Sequence, residues 1–158
     1  MKLLISFASV FIVAIISCGG STSEADRVAW DDYRSQIDNW QAQVNEKLAE
    51  ADELLKAGPM DDDGWLSSVN ELGIEIDSIT LAVTTLDPPS GLQDFHDSFV
   101  LASDFYKLAG RLLAEHFGDS EEDRAAIMKI LTNEIAFGEA NMLTVQSIFD
   151  EAVQKRDR

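Results

Sequence analysis

The sequence predicts an all-α protein, an up-down-up-down antiparallel four-helix bundle over residues 24 to 158. Apolar residues recur at alternating steps of three and four along four long segments, which is the spacing of one buried helix face. Only a few residues separate neighbouring segments, so consecutive helices must run antiparallel. β-Branched residues never form an alternating run bounded by turns, so no strand is predicted.

The first two helices are predicted over residues 24 to 56 and 64 to 86. Gly58 and Pro59 end the first helix, and Asp87 followed by two prolines ends the second. The inward face of the first helix is predicted to carry Trp30, Tyr33, Ile37, Trp40, Val44, Leu48, Ala51 and Leu55. The inward face of the second is predicted to carry Trp65, Val69, Leu72, Ile76, Ile79, Val83 and Leu86.

The third and fourth helices are predicted over residues 90 to 117 and 120 to 155. Gly118 separates them, and Ser120 with Asp123 forms a variant of the capping box. The third helix is predicted to bury Leu92, Phe95, Phe99, Ala102, Tyr106, Ala109, Leu113 and Phe117. The fourth is predicted to bury Ile127, Leu131, Ile135, Gly138, Met142, Val145, Phe149 and Ala152.

Pairing of the helices about their turns predicts particular neighbours. The third and fourth helices place Phe99 opposite Gly138 and Gly110 opposite Ile127. The longer outer helices lie side by side and extend past the turn near residue 87, so residues 25 to 33 and 146 to 156 should form a two-helix extension. In this extension Trp30 and Tyr33 are expected to meet Ile148, Phe149 and Ala152 in a half-exposed aromatic contact. The basic residues Lys155, Arg156 and Arg158 are expected at its membrane-facing tip.

Residues 1 to 17 have the pattern of an export signal peptide. Lys2 is followed by an apolar stretch over residues 3 to 16, which is too short to span a bilayer permanently. Its end, Ile15-Ile16-Ser17-Cys18, resembles the lipobox of bacterial lipoprotein precursors. The resemblance implies cleavage before Cys18, a diacylglyceryl thioether on its sulfur and acylation of its new amino group. Two or more acyl chains hold a protein stably on a membrane.

An ordinary secretory signal is the alternative interpretation of this segment. Cys18 is the only cysteine, so it cannot form an intramolecular disulfide, and residues 19 to 23 have the composition of a flexible tether. The expected organisation is a lipoprotein signal peptide over residues 1–17, a lipidated cysteine and tether over residues 18–23, and the bundle domain over residues 24–158. The protein is then exported and lipid-anchored to the cell membrane or outer membrane of a bacterium.

The charge of the chain restricts its partners. It carries 29 acidic and 12 basic residues, a formal net charge of −17, and loss of Lys2 with the signal peptide adds one more negative unit. Nucleic acids select clustered Lys and Arg, so no nucleic-acid partner is expected. The membrane, through the lipid on Cys18, and an unknown protein are the expected partners.

No metal site, cofactor or catalytic residue is predicted. Glu-x-x-His, which di-iron bundles require, is absent, and His96 and His116 lie about 30 Å apart on one helix, at a rise of about 1.5 Å per residue. Residues 61 to 64 are Asp-Asp-Asp-Gly, but alignment with a calcium-binding loop places Pro59 at its first ligand position. Capping of the second helix explains these acids better.

His96 is the polar residue of greatest interest, because it falls on the inward face of the third helix. It is expected to be a buried, hydrogen-bonded core residue, with a partner near Asn141 or the backbone around Pro88 and Pro89. A polar layer in the core would contain His96, Ser103, Tyr106, Glu134 and Asn141.

Two functions are compatible with these observations. The favoured one is a membrane-anchored envelope lipoprotein that acts as a helical protein-interaction module. The alternative is an envelope protein that binds a small ligand or cation in the bundle core near His96. Neither function is enzymatic, because the sequence offers no nucleophile with a positioned base.

Overall fold

The computed structural model describes residues 23–58, 62–117 and 120–157. They form a four-helix bundle with the helices α1 (Glu24–Ala57), α2 (Asp63–Val83), α3 (Gln93–His116) and α4 (Glu121–Arg156). Helices that follow one another along the chain pack against each other, and no strand occurs in the described part of the chain. The predicted fold class is therefore confirmed. Cys18, the signal peptide and Pro59 lie outside the described residues.

Side chains at the N-termini explain where three of the helices begin. Ser23 and Asp26 form a capping box at α1, and the Asp62 carboxylate accepts a hydrogen bond from the Trp65 backbone N–H at α2. Ser120 accepts from the backbone N–H of Asp123 at α4, as its sequence predicts. Leu92 precedes α3 without a side-chain cap.

Two helix ends differ from the predicted bounds. The structure ends α2 at Val83 rather than residue 86, and the hydroxyls of Thr84 and Thr85 donate to carbonyls of the last turn. It begins α3 at Gln93 rather than residue 90, after a turn in which the Leu92 N–H donates to the Pro89 carbonyl. Short polar side chains and prolines favour turns over helix, which accounts for the longer connection.

The core consists of two apolar clusters along the bundle axis. The cluster around α1's first turns and α4's last turns is aromatic, and Trp40 meets Phe99 edge to face with ring centroids 4.9 Å apart. The other cluster surrounds Ile76, Leu113 and Leu131. Every predicted inward residue is buried or half-buried, because the spacing of three and four correctly identified the inward faces.

Close approach of α2 and α3 depends on two glycines that the predicted pairing assigned wrongly. Gly110 faces Gly73 of α2, not Ile127: a Cβ on Gly73 would lie 2.6 Å from the Gly110 carbonyl oxygen. Gly138 faces the Tyr106 ring, 2.8 Å from a built Cβ, and not Phe99. The register of α3 against α4 is therefore shifted by several residues from the predicted one, as the contact of Phe105 with Phe137 also shows.

The backbones of α1 and α4 do not approach each other as closely as those of the other neighbouring helices. Long side chains join them instead: the Arg34 guanidinium donates to the Gln146 side chain at 2.7 Å and lies 4.7 Å from the centre of the Phe149 ring. Two surface depressions of about 330 and 570 Å³ lie between the helices, and both are lined by Asn45 and Glu139.

The prediction of a half-exposed extension, formed by residues 25 to 33 and 146 to 156, is wrong. Trp30 and Phe149 do meet, with ring centroids 6.3 Å apart, but both are buried. The connection between α2 and α3 covers Trp30, since its indole donates to the Ser90 carbonyl at 3.1 Å and Gly91, at φ 89°, lies against its ring. The left-handed conformation there favours glycine.

Candidate functional site

His96 lies in the first turns of α3 and is buried, as predicted, but its partner differs from both predicted ones. The Tyr33 hydroxyl of α1 lies 2.5 Å from His96 Nδ1, so the pair crosses the bundle core. Burial, followed by the negative charge of Asp97, raises the pKa of Tyr33 to about 12. The hydroxyl therefore keeps its proton at neutral pH and can donate to a neutral imidazole.

The Asn141 prediction is wrong because this residue is on the outside of α4. Its side-chain amide donates to the Phe137 carbonyl of the same helix at 2.7 Å. Asn141 and Glu134 lie four residues after and three residues before Phe137, so all three share one flank of α4. Glu134 is half-buried.

Ser103 and Tyr106 are buried but do not join His96 in a polar layer. The Ser103 hydroxyl donates to the Val100 carbonyl one turn earlier, which satisfies it within α3. Burial and then the charge of Glu139 raise the pKa of Tyr106 to about 12. Among the residues that the structure describes, no hydrogen bond connects His96 with Ser103, Tyr106, Glu134 or Asn141.

Apolar spacing predicts Tyr33 only as a residue on the inward face of the first helix. It does not predict the hydrogen bond of Tyr33 with His96. One feature of the sequence does point to this hydrogen bond, because Tyr33 is the one inward residue of the first helix with a hydroxyl near the level of His96. Predicting the hydrogen bond requires the relative rotation of α1 and α3, which are not neighbours along the chain. The spacing of apolar residues does not determine that rotation.

A line of large apolar side chains lies at the surface between α3 and α4. Leu101, Leu108, Ile130 and Phe137 are 67%, 44%, 42% and 57% exposed. Phe105 is half-buried beneath them, with its ring centroid 6.1 Å from that of Phe137. We call this surface the apolar seam; it consists of Leu101, Phe105, Leu108, Leu112, Ile130 and Phe137.

The contact of Phe105 with Phe137 explains why the seam is continuous. Because α3 and α4 are antiparallel, seven residues forward along α3 correspond to seven residues back along α4. Leu112, which is half-buried, is therefore placed beside Ile130. The spacing of apolar residues does not predict the seam, because it assigns one inward face to each helix and leaves all other residues as solvent-exposed.

No family model, curated protein or solved structure matches this chain.

Within residues 23–58, 62–117 and 120–157, no three His, Cys, Asp or Glu side chains are grouped so that they could hold a metal ion. None of the helices in these ranges combines the length and apolar character needed to cross a membrane.

A depression of about 380 Å³ lies where α1 begins and α4 ends. Trp30 and Ile148 form part of its wall. Basic and acidic residues both line it, namely Lys155, Arg156, Asp94 and Glu151. The Arg156 side chain also contacts the Asp157 carboxylate at 3.0 Å and lies 5.0 Å from the centre of the Trp30 ring. The contact with Arg156 lowers the pKa of Asp157. The expected basic tip is therefore mixed in charge over the described residues, and Arg158 lies outside them.

Proposed function

We propose that this protein is a bacterial envelope lipoprotein, held on the membrane by lipid on Cys18, whose helical bundle binds another protein through the apolar seam. The four residues at the end of the apolar N-terminal stretch support the anchor, because they match the lipobox pattern. The described residues form a bundle with two buried apolar clusters, which suits a domain displayed by a short tether.

The apolar seam is the observation that carries the interaction role. Four of its side chains are more than two-fifths exposed, on a chain whose formal net charge is −17. Contiguous exposed apolar surface of this kind is costly in water and marks interaction sites. A helix pair with apolar residues spaced by three, four and seven is also a common surface for binding another helix.

The alternative function, binding of a small ligand near His96, has less support. His96 Nδ1 is already paired with Tyr33, and the Phe95 ring packs edge to face against Tyr33 with ring centroids 6.2 Å apart. Four surface depressions lie along the bundle, and His96 lines none of these four.

The anchor is tested by substitution of the cysteine in the full chain. Cys18→Ala should abolish incorporation of a labelled fatty acid and leave the protein uncut or in the soluble fraction. Ser17→Ala, which retains a small residue before the cysteine, is the matched control and should behave as wild type. Unchanged processing and membrane association of Cys18→Ala would show that the lipoprotein assignment is wrong.

The seam is tested by placing a photo-crosslinking amino acid at position 137 of the full chain in the cells that express it. The control is the same amino acid at position 81, since Leu81 is 52% exposed on the outer face of α2. A covalent product of defined mass at position 137 but not at position 81 is expected. Equal or absent products at the two positions would contradict the interaction role.

A further inference from the structure

We propose that the partner of the apolar seam is a second copy of this chain, packed about a two-fold axis that crosses α3 near Leu108. In this arrangement α3 of one copy lies antiparallel on α3 of the other, and α4 lies on α4. The inference deepens the proposed function and rests on the seam being an interaction surface, because it names the occupant of that surface.

The dimensions of the seam fit the apolar centre of such an interface. From Leu101 to Leu112 it is about 16 Å long, at about 1.5 Å per residue, and two packed helices make it about 20 Å wide. This gives an apolar footprint of roughly 300 Å², against about 800 Å² per partner in a standard interface, of which a polar rim supplies the remainder. Flanking charged and amide side chains on both helices are placed to form that rim.

The charges along the outer edge of α3 are complementary to themselves. Asp104 and Arg111 are both exposed and lie on the same side of the seam, before and after Leu108. A two-fold axis midway between them brings Arg111 of each copy opposite Asp104 of the other. Two reciprocal ion pairs then flank the apolar centre, and reciprocity of this kind is what an isologous interface requires.

The other face-to-face arrangement, with α3 of one copy on α4 of the other, is disfavoured by the same residues. The register set by Phe105 and Phe137 would then place Arg111 within about one turn of Lys129 of the second copy. Like charges brought together across an interface select against that orientation. In the favoured orientation Phe137 instead reaches Ile130 of the second copy.

Besides the net negative charge of each copy, two local features oppose the dimer and make it sensitive to substitution. Glu134 lies near the two-fold axis, so the carboxylates of the two copies approach each other. Asp97 and Glu115 of opposite copies also come near each other, but at the edge, where water and salt screen them. Glu115 is in addition within 3.4 Å of Arg111 of its own chain.

Disulfide cross-linking in the full, membrane-bound chain tests the geometry. Leu108→Cys should cross-link on mild oxidation to a product of twice the chain mass, because the two substituted residues face each other beside the axis. Leu81→Cys on α2 is the matched control and should stay monomeric, as should the natural chain with Cys18 alone. A Leu108→Cys product no more abundant than the Leu81→Cys product would overturn the proposal.

Charge substitutions in the Leu108→Cys background test the register. Asp104→Arg should reduce the cross-linked product several-fold, and addition of Arg111→Asp should restore it, since the reversed pair is again complementary. Glu134→Gln should increase it. If the variant with both exchanges gives no more cross-linked product than Asp104→Arg alone, Asp104 and Arg111 do not meet across the axis.

The outcome at position 137 separates the two proposals. A photo-crosslink from position 137 to another copy of the chain supports both. A crosslink only to a different protein overturns the dimer and leaves the interaction role standing. No crosslink from this position overturns both.

Discussion

At the scale of single residues, the three indoles and the His96–Tyr33 pair of the core are hydrogen-bonded in separate contacts. The indoles of Trp30, Trp40 and Trp65 each donate to a backbone carbonyl of another segment, at 3.1, 2.8 and 2.8 Å. The His96 and Tyr33 side chains satisfy each other. Buried polar groups cost free energy unless they are paired, so each contact favours one rotation of its helix over others.

His96→Ala should lower the free energy of unfolding by about 1 to 3 kcal/mol, because it leaves the buried Tyr33 hydroxyl without its partner. Thermal or urea unfolding of the variant measures the change. His116→Ala is the control, because His116 is exposed at the end of α3, and it should have little effect.

A double-mutant cycle with Tyr33→Phe separates the hydrogen bond from the loss of packing. If the two residues are coupled as the structure indicates, the double variant is less destabilised than the sum of the single variants. Strict additivity would mean that the contact contributes nothing to stability.

At the scale of helices, the sequence predicted the number of elements and their inward faces, but not how the faces meet. Apolar spacing is a local property, and it placed Trp40, Ile76, Phe99 and Leu131 in the core correctly. Which residues lie opposite one another depends on the connections and on relative helix rotation. Spacing alone therefore predicts Ile127 opposite Gly110 and Asn141 beside His96, whereas the structure has Gly73 and Tyr33 at these places.

Gly73→Ala should destabilise the protein by roughly 1 to 3 kcal/mol, although alanine is the better helix former. Its Cβ would lie 2.5 Å from the Ala114 backbone nitrogen and 2.6 Å from the Gly110 carbonyl oxygen, and these backbone atoms cannot move aside independently. Ser78→Ala on the exposed face of α2 is the control. Unfolding of Gly73→Ala at or above the wild-type temperature would contradict the close crossing of α2 and α3.

At the scale of the whole molecule, charge is distributed over the surface, whereas four of the eight large apolar residues that are exposed in the described part of the chain lie together in the apolar seam. Exposed ion pairs such as Lys47 with Glu75, 3.0 Å apart, contribute little to stability because water screens them. The expected basic tip contains acidic as well as basic residues, so charge does not set the end with the C-terminus of α4 apart from the rest of the surface. The apolar seam is consequently the surface that best accounts for a binding role.

The wide spacing of α1 and α4 has a consequence for how fast the chain folds. Close backbone contacts join α1 with α2, α2 with α3 and α3 with α4, so they form between segments that are near in sequence. The pairing of the chain's two ends, which requires the largest loop closure, relies on side chains such as Phe149. Low contact order of this kind predicts folding in microseconds to milliseconds.

Temperature-jump or stopped-flow refolding of the bundle domain measures this rate. Gly73→Ala, in the hairpin of α2 and α3, should chiefly slow folding, whereas Phe149→Ala, at the late contact of α1 with α4, should chiefly accelerate unfolding. The reverse assignment would mean that the two ends of the chain meet before its middle is formed. The helix pair with the closest backbones would then be the last, and not the first, to become native.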